Sequence, residues 1–205
     1  MAKGLGALVV LLLFVATGYA AAVAAGAPTS SGDPRRYVLE FGDLPTGFKQ
    51  EASFYRTAED AAYQSPLSAA NYRTWGFSRG YEAVYAPTNP HAQAPGFAGL
   101  QAVVAVADLY MTDSGAERSL AARASICRKT PSRKLSLRGF EIGQQTFLCK
   151  VRAATQEAYA LYWRQDALDA VVVAVFRTPT SLPEQRAVTF VEQLANIQRR
   201  IASSK

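Results

Sequence analysis

The run Val103-Val104-Ala105-Val106-Ala107, inside the longer stretch Leu100 to Met111, is the feature that most narrows the fold. No polar residue interrupts it at alternate positions, so a strand made from it cannot leave one face in water. It predicts a central strand in a sheet covered on both sides, and the remaining segments must supply its neighbours and its covering layers.

Four further segments have strand composition: Arg79 to Tyr85, Gln145 to Val151, Ala158 to Arg164 and Leu168 to Arg177. The last two read as a hairpin, because Gln165-Asp166-Ala167 between them is short and polar and Tyr159, Leu161 and Trp163 recur at the period of one sheet face. Tyr37 to Phe41 reads as a short edge strand or a lead-in, followed by a turn at Asp43-Leu44-Pro45-Thr46-Gly47-Phe48.

Helical signals alternate with these. Thr57-Ala58-Glu59-Asp60 places acids where a first turn exposes its amides, and the pattern breaks at Pro66 before resuming from Leu67 to Trp75. Ser114-Gly115-Ala116-Glu117 has capping-box spacing and opens a helix to Cys127, with Ala116, Leu120, Ala124 and Cys127 on one stripe. Ser181-Leu182-Pro183-Glu184 has the same spacing before a C-terminal amphipathic helix, in which Ala187, Phe190, Val191, Leu194, Ile197 and Ile201 should lie across the sheet. The connections between strands are too short for crossover helices. The expected fold class is therefore α+β, with a mainly antiparallel sheet of about five to six strands.

Residues Gly4 to Gly26 carry no charge, and the strongest apolar part, Leu5 to Val15, gives way to Ala22-Val23-Ala24, a small-x-small pattern. Residues 1–24 are expected to be a signal peptide or, uncleaved, an N-terminal membrane anchor, since 23 uncharged residues can also span a bilayer. Residues 25–35, rich in Ala, Ser, Gly and Pro, are expected to be a flexible spacer before a single domain at 36–205. Cys127 and Cys149 are the only cysteines. An even count behind an export segment predicts a disulfide between them and an extracytoplasmic domain, secreted or tethered to the membrane.

Composition disfavours most site chemistry. His91 is the only histidine, no Gly-x-Ser-x-Gly elbow accompanies it, and two cysteines are too few for a zinc cage. No phosphate-binding loop is present, so no cofactor, metal or catalytic residue is expected. Among the carboxylates, Glu59 and Asp60 read as helix-start acids, Glu117 and Glu184 as caps, and Asp166 and Asp169 as residues flanking the hairpin turn. The formal charge is +6, from 22 Lys and Arg against 16 Asp and Glu, and Arg128, Lys129, Arg133, Lys134 and Arg138 form an acid-free stretch. These five are the candidate contact for an anionic surface, against a reading in which they serve only a helix end and a solvated loop. Aromatics are not interleaved with them, and nucleic acid is not an expected partner.

At Asp43-Leu44-Pro45-Thr46-Gly47-Phe48, at Tyr72-Arg73-Thr74-Trp75-Gly76 leading into Gly80-Tyr81-Glu82, and in the closing hairpin Leu161 to Arg177 with its terminal helix, the chain resembles uncharacterised extracytoplasmic bacterial α+β domains. The resemblance covers most of residues 36–202 and implies secretion or membrane tethering and a non-catalytic role. The expected function is an exported binding or interaction module of the cell envelope, whose partner is an anionic envelope surface or another envelope protein. The alternatives are an envelope hydrolase using paired carboxylates, or a carrier of a small apolar ligand between the last helix and the sheet.

Overall fold

The structure, a computed structural model, describes residues 32–63, 65–89, 98–129, 132–137, 139–178 and 182–204. His91, Arg138 and the expected export segment at 1–24 lie outside them.

Seven strands form one antiparallel sheet: β1 (Phe48–Arg56), β2 (Phe77–Pro87), β3 (Leu100–Tyr110), β4 (Ser132–Leu135), β5 (Gln145–Arg152), β6 (Gln156–Gln165) and β7 (Leu168–Arg177), in the order β1-β2-β3-β7-β6-β5-β4. The expected class is correct, but the count of five to six strands is too low. The two strands absent from the sequence reading are the two edges. β1 buries only Phe48 and Arg56 fully, so no apolar period marks it, and β4 is four residues long and carries Arg133 and Lys134. Short, charged or polar edges guard a sheet against further pairing and for that reason look like loops.

β3 lies between β2 and β7, as its apolar run requires. Its Val103, Ala105, Ala107 and Leu109 face one core together with Tyr81, Ala83 and Tyr85 of β2 and Tyr159, Leu161 and Trp163 of β6. Its Val106 faces a second core with Phe147, Cys149, Ala160 and Val171. The first face is covered by the terminal helix α4 (Glu184–Ser203), whose Ala187, Val188, Phe190, Val191, Leu194 and Ala195 are all buried. Gln198 of α4 is buried too, accepting from Trp163 Nε1 at 3.4 Å and donating to the Val106 carbonyl at 3.0 Å. The second face is covered by α3 (Asp113–Cys127), with α1 (Ala58–Tyr63) and α2 (Ala69–Thr74) toward the β1–β2 side.

Local chemistry moves several boundaries. α3 starts two residues before the expected box: Thr112 is the cap, its side chain accepting from Gly115 N–H at 3.2 Å, which leaves Glu117 exposed beyond the first turn. Tyr37 to Phe41 is not a strand. Two 3-10 turns, Pro34–Tyr37 and Phe41–Asp43, flank Val38 and Leu39, which are buried in the first core. The spacer expected to run to residue 35 is also too long. Pro34 is buried, Asp33 caps the first turn and accepts from Tyr55 Oη at 3.1 Å, and Arg79 donates to the Gly32 carbonyl at 2.6 Å. Tyr85, whose hydroxyl donates to the Leu39 carbonyl at 2.5 Å, holds this segment down, and burial pushes its pKa up to about 12.

Candidate functional site

Two places on the face under α3 gather chemistry-bearing side chains. The first is a row of register partners running across the sheet: Arg56 of β1, Gly80 of β2, Asp108 of β3, Asp169 of β7, Arg164 of β6 and Gln145 of β5. Asp108 and Asp169 are direct cross-strand neighbours, an arrangement that like charges make unfavourable unless cations intervene. Arg123 intervenes from α3, with Nη2 donating to Asp108 at 2.8 Å and Nε lying 3.4 Å from Asp169. Arg56 lies 3.2 Å from Asp108 and 3.5 Å from Glu82, and Ser119 of α3 donates to Asp169 at 2.7 Å. Gly80 makes room for this meeting, since a Cβ there would lie 2.2 Å from Asp108 Oδ1.

Asp169 is expected from the sequence to flank the hairpin turn, and no sequence motif marks Asp108, Arg123, Arg56 or Glu82 as members of a site. Asp169 is instead buried at 1% exposure and Asp108 at 0%. Burial pushes the Asp169 pKa up to about 6; Arg123 opposes the rise and Asp108 adds to it. Convergent carboxylates with one raised pKa are what acid–base hydrolysis needs, but a substrate must also reach them. Here Arg56 and Arg123 pair with Glu82, Asp108 and Asp169 inside a buried layer, while Arg164 donates to the Asp166 carbonyl at 3.2 Å, which makes the row a structural ion network. The available signal is the charge pattern itself: a single charged residue, Asp108, inside β3 and another Asp inside β7, each needing a buried cation.

The second place is a cleft of about 290 Å³ between α3 and the β4–β5 edge, lined by Leu120, Ala121, Ala124, Arg128, Lys134, Gln145, Thr146 and Phe147. Cys127 and Cys149 are disulfide-bonded beside it, with Cα atoms 5.8 Å apart. Phe147, in its floor, stacks on Tyr162 with ring centres 4.7 Å apart, and Tyr162 in turn lies beneath the Arg123 guanidinium at 5.6 Å. The cleft therefore shares a wall with the ion network.

The four candidate cations among the described residues, Arg128, Lys129, Arg133 and Lys134, do not share one side of the sheet. Arg128 ends α3 and Lys134 projects from β4, both into the cleft, while Lys129 is exposed beyond the helix. Arg133, adjacent to Lys134 in the strand, points to the opposite side of the sheet, as strand alternation dictates, and pairs with Glu184 at 2.5 Å. Glu184, the first residue of α4, also accepts from Lys150 at 2.8 Å; Ser181, its expected capping-box partner, lies outside the described residues. Hydrogen bonding from Lys150 first, and the charges of Lys150 and Arg133 as well, lower the Glu184 pKa. Among the described residues, no group of three or more His, Cys, Asp or Glu side chains is arranged to hold a metal ion.

No family model matches the chain and no curated protein matches it. Among solved structures, the chain is similar to the extracellular domain of PknH from Mycobacterium tuberculosis, with a TM-score of 0.51 and 9% sequence identity, covering 82% of this chain and 97% of that one. At that identity the likeness is one of fold, that of an α+β domain with a disulfide-bearing antiparallel sheet in this chain's case.

Proposed function

We propose that this chain is an exported, non-catalytic module that binds an anionic component of the cell envelope. The observation that carries the reading is the Cys127–Cys149 disulfide, which ties α3 to β5 inside the second core and suits an oxidising compartment. The uncharged segment at residues 4–26, the resemblance to extracytoplasmic bacterial domains and the fold likeness to an extracellular domain support the same location. Retention of residues 1–24 as an anchor or their removal at Ala24 are both compatible with it.

Binding is favoured over catalysis because the convergent carboxylates are sealed under α3, whereas Arg128 and Lys134 are exposed in a cleft. A carrier cavity between α4 and the sheet is disfavoured because the apolar side chains of α4 are themselves packed into the first core. The test is to isolate the protein from its native host under alkylating, non-reducing conditions and to identify its thiol state and compartment by mass spectrometry. An oxidised pair in the envelope or medium is expected. Two alkylated thiols on a cytoplasmic chain would overturn the reading.

A further inference from the structure

We propose that the cleft between α3 and the β4–β5 edge binds a single-chain anionic amphiphile, an alkyl phosphate or alkyl carboxylate, with the anion between Arg128 and Lys134 and the chain on Ala121 and Ala124, over the buried Leu120 and Phe147. The proposal rests on the binding-module reading and adds the ligand class and its pose.

Charge complementarity carries it. Arg128 and Lys134 are exposed and have no ion-pair partner among the described residues, and no acid lines the cleft. Of the other cations around this edge, Arg133 pairs with Glu184, Lys150 with Glu157 and Glu184, and Arg123 with Asp108 and Asp169, while Lys129 is exposed beyond the helix end. A concave apolar wall carrying unbalanced positive charge concentrates an anion that brings its own apolar surface. At about 290 Å³ the cleft is at the small end of ligand sites, which suits one slender chain and neither a flat bilayer nor a folded polymer.

The disulfide fixes this geometry. Arg128 directly follows Cys127, and Lys134 is the register partner of Cys149, so the bond that joins the two cysteines also holds the two cations on facing walls. Phe147, braced by its stack on Tyr162, gives the floor a fixed orientation. Such a site is pre-organised, which limits the entropy lost when the ligand binds.

The experiment titrates the oxidised full chain, held in phosphatidylcholine nanodiscs, with hexyl phosphate by calorimetry, against empty nanodiscs, inorganic phosphate and hexanol. Saturable binding of hexyl phosphate is expected, at least about tenfold tighter than either fragment probe. Arg128→Gln and Lys134→Gln should each weaken it about tenfold, as should reduction of the disulfide, and added salt should weaken it further. Absence of saturable binding, equal binding of inorganic phosphate, insensitivity to both substitutions, or undiminished binding to an Ala124→Trp chain would each overturn the proposal. So would capture by phosphatidylglycerol vesicles or by an acidic peptide in preference to hexyl phosphate. An oxidised, exported chain that fails this titration loses the ligand class and keeps its place as an envelope module. A reduced cytoplasmic chain loses the module reading whatever it binds.

Discussion

Arg123 Nη2 donates to Asp108 Oδ2 at 2.8 Å, so one side chain of α3 holds the helix to the middle of the sheet and keeps two cross-strand carboxylates compatible. Removing one member of a buried ion network leaves the others desolvated and unpaired. Arg123→Met should therefore destabilise the domain by about 3–5 kcal/mol in urea unfolding. Adding Asp169→Asn to that variant should restore part of the loss, because the surviving carboxylate no longer faces a like charge. An additive double variant would show that Arg123 acts independently of Asp169.

The raised Asp169 pKa sets a direction for stability against pH. With its pKa near 6 when folded and 3.8 as the ordinary value, the folded chain holds more protons than the unfolded chain in that interval. The stabilising contribution is full below the ordinary value and is lost as pH rises through about 6. Unfolding free energy should fall by up to about 3 kcal/mol between pH 4 and pH 7 from this group. Asp169→Asn should flatten that slope. Glu184, whose pKa is lowered, acts in the opposite sense: its contribution is present above the ordinary carboxylate value and lost on acidification, so Glu184→Gln should leave the Asp169 slope in place.

The Cys127–Cys149 bond closes a loop with a sequence separation of 22 residues. Loop-closure entropy assigns such a bond about 3 kcal/mol. The Cys127→Ser/Cys149→Ser chain should unfold at correspondingly lower urea, and a reducing agent should shift the native chain by the same amount and the double variant not at all.

Gly80→Ala tests the spacing of the ion row. The added methyl would lie 2.2 Å from Asp108 Oδ1 and 3.3 Å from the Ala107 carbonyl in the middle of the sheet. A loss of about 1–3 kcal/mol is expected from forced displacement. Gly42→Ala, where nothing lies within 4 Å, is the control and should change stability little, measured by the same unfolding midpoints.

Elements with a buried face were legible in the sequence, since burial imprints a period on it. β3 and the β6–β7 hairpin, with Asp166 in the left-handed region at φ 51°, occur where composition and turn chemistry place them. β1 was not legible, because a strand exposed along most of its length has no apolar period to read. β4 was hidden by Arg133 and Lys134, whose charges read as a loop until the register with β5 placed them on opposite sides of the sheet.

By itself the sequence determined the α+β class, the central strand, the covering helices and the cysteine pair, because these follow from hydrophobic period, caps and residue counts along the chain. Only the tertiary structure decided which charges meet. Asp108 and Arg123 are 15 residues apart and Asp108 and Arg56 are 52 apart, joined by strand order and helix docking that no local pattern encodes. The same register separated Lys134 from Arg133, turning one into a wall of a cleft and the other into an ion-pair partner of Glu184, because successive side chains of a strand must point to opposite faces.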